Sequence, residues 1–121
     1  KLSAGEAING FGDVIVNPVY TAQLGKIFLE FAQTGLPSGI LHIGCDEVAS
    51  KHELLVRFAS LFGFNPDLVR KAKIADHSFL AKRPKNTSLA VRLLSRYGMK
   101  VPSLQEGLEA FKQDFLARDT E

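Results

Sequence analysis

The sequence predicts an α/β fold with few strands and about four helices. Two short apolar runs have the composition of strands: residues 13–16 are rich in β-branched side chains, and residues 40–43 lie between Gly39 and Gly44. Elsewhere the apolar residues recur every three or four positions, which is the spacing of helices with one buried face. Two strands are too few for an independent open sheet. We therefore expect the chain to be part of a larger α/β protein.

The first two helices are predicted from their starts, stops and apolar stripes. The first follows Asn17-Pro18 and ends at Gly35, because proline fits a first helical turn and glycine fits a helix end. The second has the capping-box pattern of Ser50 and Glu53 at its start and Gly63 at its end. The expected inward side chains are Tyr20, Leu24, Ile27, Phe28 and Phe31 in the first helix and Leu54, Leu55, Phe58, Leu61 and Phe62 in the second.

The second half of the chain is predicted to contain an extended segment, a loop and two more helices. Residues 68–75 mix apolar and basic side chains and fit a strand at a sheet edge, whereas residues 76–87 lack periodicity and are expected to form a loop. Ser88 is placed to cap the third helix, and Ser103 with Glu106 repeats the capping box at the fourth. The expected inward side chains are Leu89, Leu93, Leu94 and Tyr97 in the third helix and Leu104, Leu108, Phe111 and Phe115 in the fourth.

Composition and charge narrow the function classes. The chain is 45% hydrophobic and 23% charged, as in globular proteins. No apolar run is long enough to span a bilayer and no secretory leader is recognisable, so we expect no membrane partner. Cys45 is the one cysteine, which excludes an internal disulfide and fits a reducing compartment. The protein is therefore expected to be cytoplasmic.

Basic residues are concentrated in one part of the chain. The net charge is +2, yet between residues 70 and 100 nine basic side chains stand against Asp76 alone. This excess allows an anionic partner, although a solvated basic face is the simpler interpretation of charge alone. A nucleic-acid-binding module is a further alternative. Because interleaved aromatic residues and a docking motif are missing, we expect no nucleic-acid partner.

Few residues form a pattern that carries chemistry. The histidines, Cys45 and the carboxylates do not cluster, so no metal ligands are expected. Cys45 is a poor nucleophile candidate because the acidic residues after it raise the pKa of a thiol. The segment 10–12, Gly-Phe-Gly, is expected to be a loop, since it is only a fragment of a dinucleotide-binding glycine motif. Arg83 differs: Pro84 restrains its backbone, and a restrained arginine suits bidentate phosphate contact, with an exposed basic loop as the alternative.

Three motifs occur in an order that is typical of one known family. Residues 17–24, with Asp13 before them, are similar to a segment that enters a helix after the last sugar-pocket strand. Residues 39–44 resemble a histidine-containing strand between glycines, and residues 83–89 match the pattern R-P-x-N-x-x-L. Together these motifs resemble the dTDP-4-dehydrorhamnose reductases, which are extended short-chain dehydrogenase/reductases. The resemblance covers most of the chain.

The resemblance implies a fold and an activity. Residues 1–121 would be the C-terminal substrate-binding part of a Rossmann-type protein, with the N-terminal Rossmann part as partner. The whole enzyme would use NADP or NAD to reduce the 4-keto group of a dTDP-sugar, a step of rhamnose biosynthesis. The family's Tyr-x-x-x-Lys pair does not occur, since Leu24 follows Tyr20 and Val101 follows Tyr97 at that spacing. The fragment alone is therefore expected to bind no cofactor, to hold no catalytic residue and to be inactive.

The resemblance also implies where the nucleotide sugar binds. Arg83 would lie near the dTDP-sugar, and Pro84 would set the backbone conformation of Arg83. Asn17 would either face the sugar pocket or cap the following helix. The sequence departs from the family pattern at Val14 and Gln23. These departures leave open a nucleotide-sugar epimerase or a non-catalytic regulatory subunit on the same fold. A homodimer is compatible with the resemblance as well.

Overall fold

The computed structural model describes residues 1–35 and 38–118. These residues form four α-helices and four short strands, which confirms the predicted α/β class. The helices are α1 (Thr21–Thr34), α2 (Lys51–Leu61), α3 (Arg92–Arg96) and α4 (Leu104–Arg118), and the strands are β1 (Ile8–Phe11), β2 (Ile15–Val16), β3 (Ala49–Ser50) and β4 (Val69–Ala72). In the part of the chain described, no helix combines the length and the apolar character needed to cross a membrane.

The chain divides into two compact units. The first comprises Lys1–Val16 with Val48–Thr87, and the second comprises Asn17–Glu47 with Ser88–Glu121. The first unit therefore holds all four strands and α2, and the second holds α1, α3 and α4.

In the first unit, β1 pairs in parallel with β4, and β2 pairs antiparallel with β3. The β4 strand confirms the extended segment predicted within residues 68–75. The loop predicted at residues 10–12 was wrong for Gly10 and Phe11, which are strand residues. A Cβ on Gly10 would lie 2.7 Å from the Cα of His52 in α2, so this glycine is required by close packing of helix on strand.

The start of α2 confirms the predicted capping box. The backbone amide of Glu53 donates to the Ser50 hydroxyl at 3.1 Å, and the Glu53 carboxylate accepts from the Ser50 backbone amide at 2.8 Å. These hydrogen bonds lower the pKa of Glu53. The helix ends at Leu61, two residues before Gly63, whose φ of 75° lies in the left-handed region that glycine adopts freely. Of the α2 side chains only Ala59 is fully buried, and the predicted apolar stripe is half-buried.

The core of the second unit is built by α1, α3 and the segment after α3. Ile27 and Phe31 of α1 pack with Leu94 and Met99, and the partly buried residues around them are Leu41, Ile43, Val91 and Val101. The first helix is thus confirmed with its stop at Gly35, but it starts at Thr21, three residues after the Pro18 that was predicted to lie in its first turn. Four side chains predicted to face inward are instead exposed: Phe28 at 55%, Tyr97 at 50%, Phe115 at 48% and Leu89 at 42%.

The strand predicted at residues 40–43 is absent from the described residues. Leu41 and Ile43 pack on the core of the second unit, whereas Ile40 is 84% exposed. A strand requires a neighbour that supplies backbone hydrogen bonds. None of the described strands pairs with this segment, so it has no strand hydrogen bonds to a neighbour.

The third and fourth helices begin differently from the prediction. The cap predicted at Ser88 was wrong: α3 starts only at Arg92, after Val91, and has no side-chain cap. At α4, the Glu106 backbone amide reaches the Ser103 hydroxyl only at 3.5 Å, and the Glu106 carboxylate binds the amine of Lys100 at 2.9 Å. The carboxylate of Asp46 accepts from the Leu104 amide at 3.1 Å and so caps this helix from a distant part of the sequence.

Candidate functional site

The predicted phosphate-binding arginine lies on an exposed loop of the first unit, residues 74–87, which we call the arginine loop. Asp13 connects both ends of this loop. One of its carboxylate oxygens accepts from the backbone amide of Ile74 at 2.9 Å, and the other lies 3.4 Å from the amine of Lys85. A single side chain between β1 and β2 therefore restrains the loop that carries Arg83 and Pro84.

The charge of Asp13 is stabilised by these contacts. The hydrogen bond from the Ile74 amide lowers the pKa of the Asp13 carboxyl, and Lys85 lowers it further. Asp13 consequently stays ionised at neutral pH and offsets part of the positive charge of the loop.

Strand β2 fixes the end of the arginine loop. The backbone amide of Ile15 donates to the Lys85 carbonyl at 2.7 Å, and the Thr87 amide donates to the Ile15 carbonyl at 3.0 Å. These bonds make an isolated parallel bridge between Ile15 and Asn86. Arg83 therefore lies only two residues before a backbone position that is held by β2.

An aromatic cluster supports the arginine side chain. The ring of Phe11, in β1, meets the His77 ring at 5.0 Å and the Phe79 ring at 6.0 Å between centroids, both in edge-to-face geometry. The His77 and Phe79 rings are stacked at 6.2 Å. The Cζ atom of Arg83 lies 5.6 Å from the Phe79 centroid, a cation–π distance worth about 0.5–1 kcal/mol at exposed sites. The guanidinium is thus restrained by a side chain as well as by its own backbone.

A cleft of about 460 Å³ opens beside the arginine loop. Most of its lining is apolar or aromatic, and two cations face it. The lining residues are Phe11, Val14, Lys51, Ile74, Phe79, Arg83, Pro84 and Thr87. A second cleft, of about 480 Å³, shares the Arg83 and Phe79 side chains and adds Lys82 and Lys85. Apolar walls with a few placed charges suit an organic anion such as a phosphate ester.

Asn17 lies in the second unit, where its side-chain amide forms hydrogen bonds with backbone groups. Its amide oxygen accepts from the Leu89 amide at 2.8 Å, and its amide nitrogen donates to the carbonyls of Leu89 at 2.9 Å and Cys45 at 3.4 Å. The residue is buried, with 7% exposure. Asn17 does not cap α1, because the residue before that helix is Tyr20 and no side chain caps it. The capping alternative was therefore wrong.

Cys45 has the environment of an unreactive thiol. The side chain is 1% exposed, and its sulfur donates to the Glu47 carbonyl at 3.1 Å. Burial raises the pKa of the thiol, and the charges of Asp46 and Glu47 raise it further. Burial and these charges support the prediction of a poor nucleophile. Among the described residues, no three His, Cys, Asp or Glu side chains lie close enough to hold a metal ion.

Sequence reasoning missed two residues of the cleft, Phe79 and Lys51. Phe79 lies within a segment predicted only as loop, and Lys51 was part of the capping-box pattern at the start of α2. Spacing along the chain carries no signal that places either of them beside Arg83, because they meet it through tertiary structure.

Residues 10–12 do not form the glycine-rich turn of a dinucleotide-binding site. Dinucleotide cofactors bind where a glycine-rich turn opens a helix after a strand. In this chain, Gly12 is followed by the short strand β2, and the lysine side chain at position 71 occupies the space beside it.

Comparison with known proteins identifies relatives of one kind. The model of the RmlD substrate binding domain family matches residues 1–117. The chain is 30% identical over 100 residues to a dTDP-4-dehydrorhamnose reductase from Mycolicibacterium smegmatis, an alignment that covers 82% of this chain and 31% of that protein. The chain therefore spans about a third of the length of this relative.

Solved structures share the fold. The NADP complex of dTDP-4-dehydrorhamnose reductase from Bacillus anthracis matches with a TM-score of 0.81 at 25% identity, over 93% of this chain and 40% of that one. A dTDP-4-dehydrorhamnose reductase from Clostridium acetobutylicum matches with a TM-score of 0.77 at 21% identity, over 96% of this chain and 41% of that one. The fold is thus that of part of a Rossmann-type reductase, and the chain belongs to the RmlD substrate-binding domain family.

Proposed function

We propose that this chain is the nucleotide-sugar-binding region of an enzyme like the dTDP-4-dehydrorhamnose reductases. Residues 1–121 would be the C-terminal region of a longer cytoplasmic protein, whose Rossmann part binds NADP or NAD. The cofactor would supply a hydride to the 4-keto carbon of a dTDP-linked 6-deoxyhexose. The family match over residues 1–117 supports this proposal, and a relative from Bacillus anthracis binds NADP.

The single observation that carries the proposal is the restrained arginine beside an apolar cleft. Arg83 lines a cleft of about 460 Å³ whose other lining residues are mostly apolar. A guanidinium presents planar N–H donors that match two oxygens of a phosphate. Arg83 would bind the diphosphate of the nucleotide sugar, and Pro84 would keep the backbone of the arginine extended.

Asn17 would act mainly through the backbone that it holds. Its side-chain oxygen and nitrogen already bind Leu89 and Cys45, so a sugar would have to share these atoms with the backbone. We propose that Asn17 sets the position of the segment around Leu89, and direct contact with the sugar stays a prediction.

The fragment alone should be inactive. A carbonyl reduction needs a hydride donor and a proton donor, and the spacing of neither tyrosine matches the Tyr-x-x-x-Lys pair. The proposed partners are the dTDP-sugar and the Rossmann part of the same protein. A homodimer is a further expectation, with neither nucleic acid nor membrane as partner.

The test is turnover by the full-length protein that carries this chain. NADPH oxidation with a dTDP-4-keto-6-deoxyhexose would be followed by absorbance, and binding of dTDP by calorimetry. We expect Arg83→Ala to weaken dTDP binding by at least about tenfold, since a charge-assisted contact contributes about 1.5–3 kcal/mol. The matched variant Lys85→Ala should change binding less, because Lys85 faces Asp13.

Two results would contradict the proposal in different ways. Equal effects of the two variants would remove Arg83 from the binding site. Tight dTDP binding without turnover, with either NADPH or NADH, would favour the non-catalytic regulatory subunit.

A further inference from the structure

We propose that Lys51 is a second phosphate-binding cation of the cleft and that Phe79 is the positioning residue for Arg83. This inference rests on the proposed function, because it names how the same cleft recognises its ligand. The ligand class is a diphosphate ester, whose phosphate groups are bound by one lysine and one arginine.

The backbone of Lys51 is held by a hydrogen bond, whereas its side-chain amine forms no ion pair with the described residues. It is the first residue of α2, and its backbone amide donates to the Val14 carbonyl at 2.9 Å. Its side chain lines the same cleft as Arg83. Within residues 1–35 and 38–118, neither of these two cations forms an ion pair with a carboxylate. Two unpaired cations in one small cleft repel each other until an anion binds between them.

Phe79 holds the Arg83 guanidinium without using its hydrogen-bond donors. A cation–π contact is an attraction between the charge and the ring, and it uses none of the N–H donors of the guanidinium in a hydrogen bond. With its Cζ atom 5.6 Å from the ring centroid, Arg83 therefore keeps N–H donors for phosphate oxygens. Phe79 is itself supported by the rings of Phe11 and His77. The arginine consequently loses less side-chain freedom when a ligand binds.

The two cations differ in the contact that each can make. Arginine binds two phosphate oxygens in a planar fork, and lysine acts as a compact point charge. The apolar lining supplied by Val14, Ile74 and Pro84 lies beside them and lowers the local dielectric. A diphosphate carries charge on both of its phosphate groups, which is the pattern that two separate cations match.

The first experiment measures binding of dTDP and of thymidine to the full-length protein by calorimetry at several salt concentrations. We expect Lys51→Gln to weaken dTDP binding about tenfold, a change of about 1.4 kcal/mol. The variant should also flatten the salt dependence of dTDP binding, since one screened charge contact is lost. Thymidine, which lacks phosphate, should bind the variant and the wild type equally. Lys26→Gln is the matched control, because Lys26 is an exposed lysine of α1 in the other unit.

The second experiment tests Phe79. Phe79→Leu should weaken dTDP binding roughly two- to fivefold, the equivalent of one exposed cation–π contact. Phe79→Tyr keeps the aromatic ring and should bind dTDP as tightly as the wild-type protein. The Phe79→Leu effect should vanish in an Arg83→Lys background, because the flat stacking partner is then gone. If Phe79→Leu does not fold, Phe79→Met, which removes the ring but keeps an apolar side chain, is measured in both backgrounds in its place.

The experiments distinguish failure of the roles inferred for Lys51 and Phe79 from failure of the proposed function. If Lys51→Gln matches Lys26→Gln in dTDP affinity and salt dependence, Lys51 is no phosphate ligand, although the reductase proposal would stand. An unchanged Phe79→Leu effect in the Arg83→Lys background would show that Phe79 is merely structural. If the wild-type protein binds no dTDP at any salt concentration, both the inference and the proposed function are overturned.

Discussion

Asn17 binds both backbone groups of Leu89 through its side-chain amide, with an O···N distance of 2.8 Å on one edge and an N···O distance of 2.9 Å on the other. The Asn17 amide thereby binds the N–H and the C=O of Leu89 that a helix would otherwise use. This explains why the third helix starts only at Arg92 although a serine that could cap it stands earlier. A buried amide that joins segments far apart in sequence is therefore an element of the scaffold.

Replacing Asn17 by alanine should destabilise the protein. The change leaves the part-buried amide and carbonyl of Leu89 without the Asn17 side chain, which should lower the free energy of unfolding by about 1–3 kcal/mol. Urea unfolding followed by circular dichroism measures the loss. Gln33→Ala is the control, because it removes an exposed amide of α1 and should change the free energy by less than about 0.5 kcal/mol. A loss no larger than in this control would show that the Asn17 hydrogen bonds contribute little.

Two glycines of the chain should respond to alanine with opposite signs. A Cβ on Gly10 would come within 2.7 Å of the backbone of His52, so Gly10→Ala must push α2 off β1 and should cost about 1–3 kcal/mol. Gly25 lies inside α1 with no atom within 4 Å of the added Cβ. Gly25→Ala should stabilise the protein by about 0.5–1 kcal/mol through helix propensity. Thermal unfolding of both variants distinguishes the two signs, and stabilisation by Gly10→Ala would rule out the close packing.

The contrast between local and distant contacts also explains which elements the sequence predicted. The α2 capping box was correct because Ser50 and Glu53 are three residues apart, and the whole signal is local. At α4 only half of the predicted box forms: the Glu106 amide donates to the Ser103 hydroxyl at 3.5 Å, and the Leu104 amide binds Asp46, a residue that only tertiary structure brings there. The strand at residues 40–43 has the right composition but lacks a neighbour within the described residues, and composition cannot supply one.

The residues of the candidate site also divide into those that a local motif predicts and those that only tertiary structure brings together. Arg83 and Pro84 were selected from a motif of adjacent residues, and their exposed position beside a cleft supports that choice. The contacts that restrain the arginine loop come from Asp13 and Phe79, and Lys51 is a second cation that lines the cleft. Each of these lies in another motif or in an apparently featureless loop, so spacing alone could not assign it a role.

Cys45 should react slowly with thiol reagents in the folded protein. Burial raises the pKa of the thiol, and its proton donates to the Glu47 carbonyl, so the reactive thiolate is scarce and shielded. We expect labelling by iodoacetamide at pH 7.5 to be at least about a hundredfold slower than in denaturant, a factor typical of a fully buried group that reacts only on opening. Mass spectrometry over time measures both rates. Equal rates would mean that the segment around Cys45 is open in solution.

Acid should loosen the arginine loop through Asp13. The pKa of this carboxyl is lowered in the folded protein by the Ile74 amide and by Lys85, so the folded state binds fewer protons than the unfolded state in acid. The stabilisation is present above the ordinary carboxyl pKa and is lost as the pH falls through the lower, folded value. We expect hydrogen exchange at the Ile74 amide, corrected for intrinsic rate, to accelerate across that acid range and to be constant near neutrality.

Two variants distinguish the effect of protonating Asp13 from that of protonating Glu53, whose pKa is lowered as well. The pKa of Glu53 is also lowered, by the amide and hydroxyl of Ser50, and its protonation weakens the α2 cap. Asp13→Asn keeps an oxygen that can accept from Ile74 but cannot titrate, so it should abolish the acid step at the Ile74 amide while leaving the one at α2. Glu53→Gln should do the reverse. An acid step at Ile74 that survives Asp13→Asn would assign the loosening of the loop to another group, and the connection between its two ends would no longer be explained by Asp13.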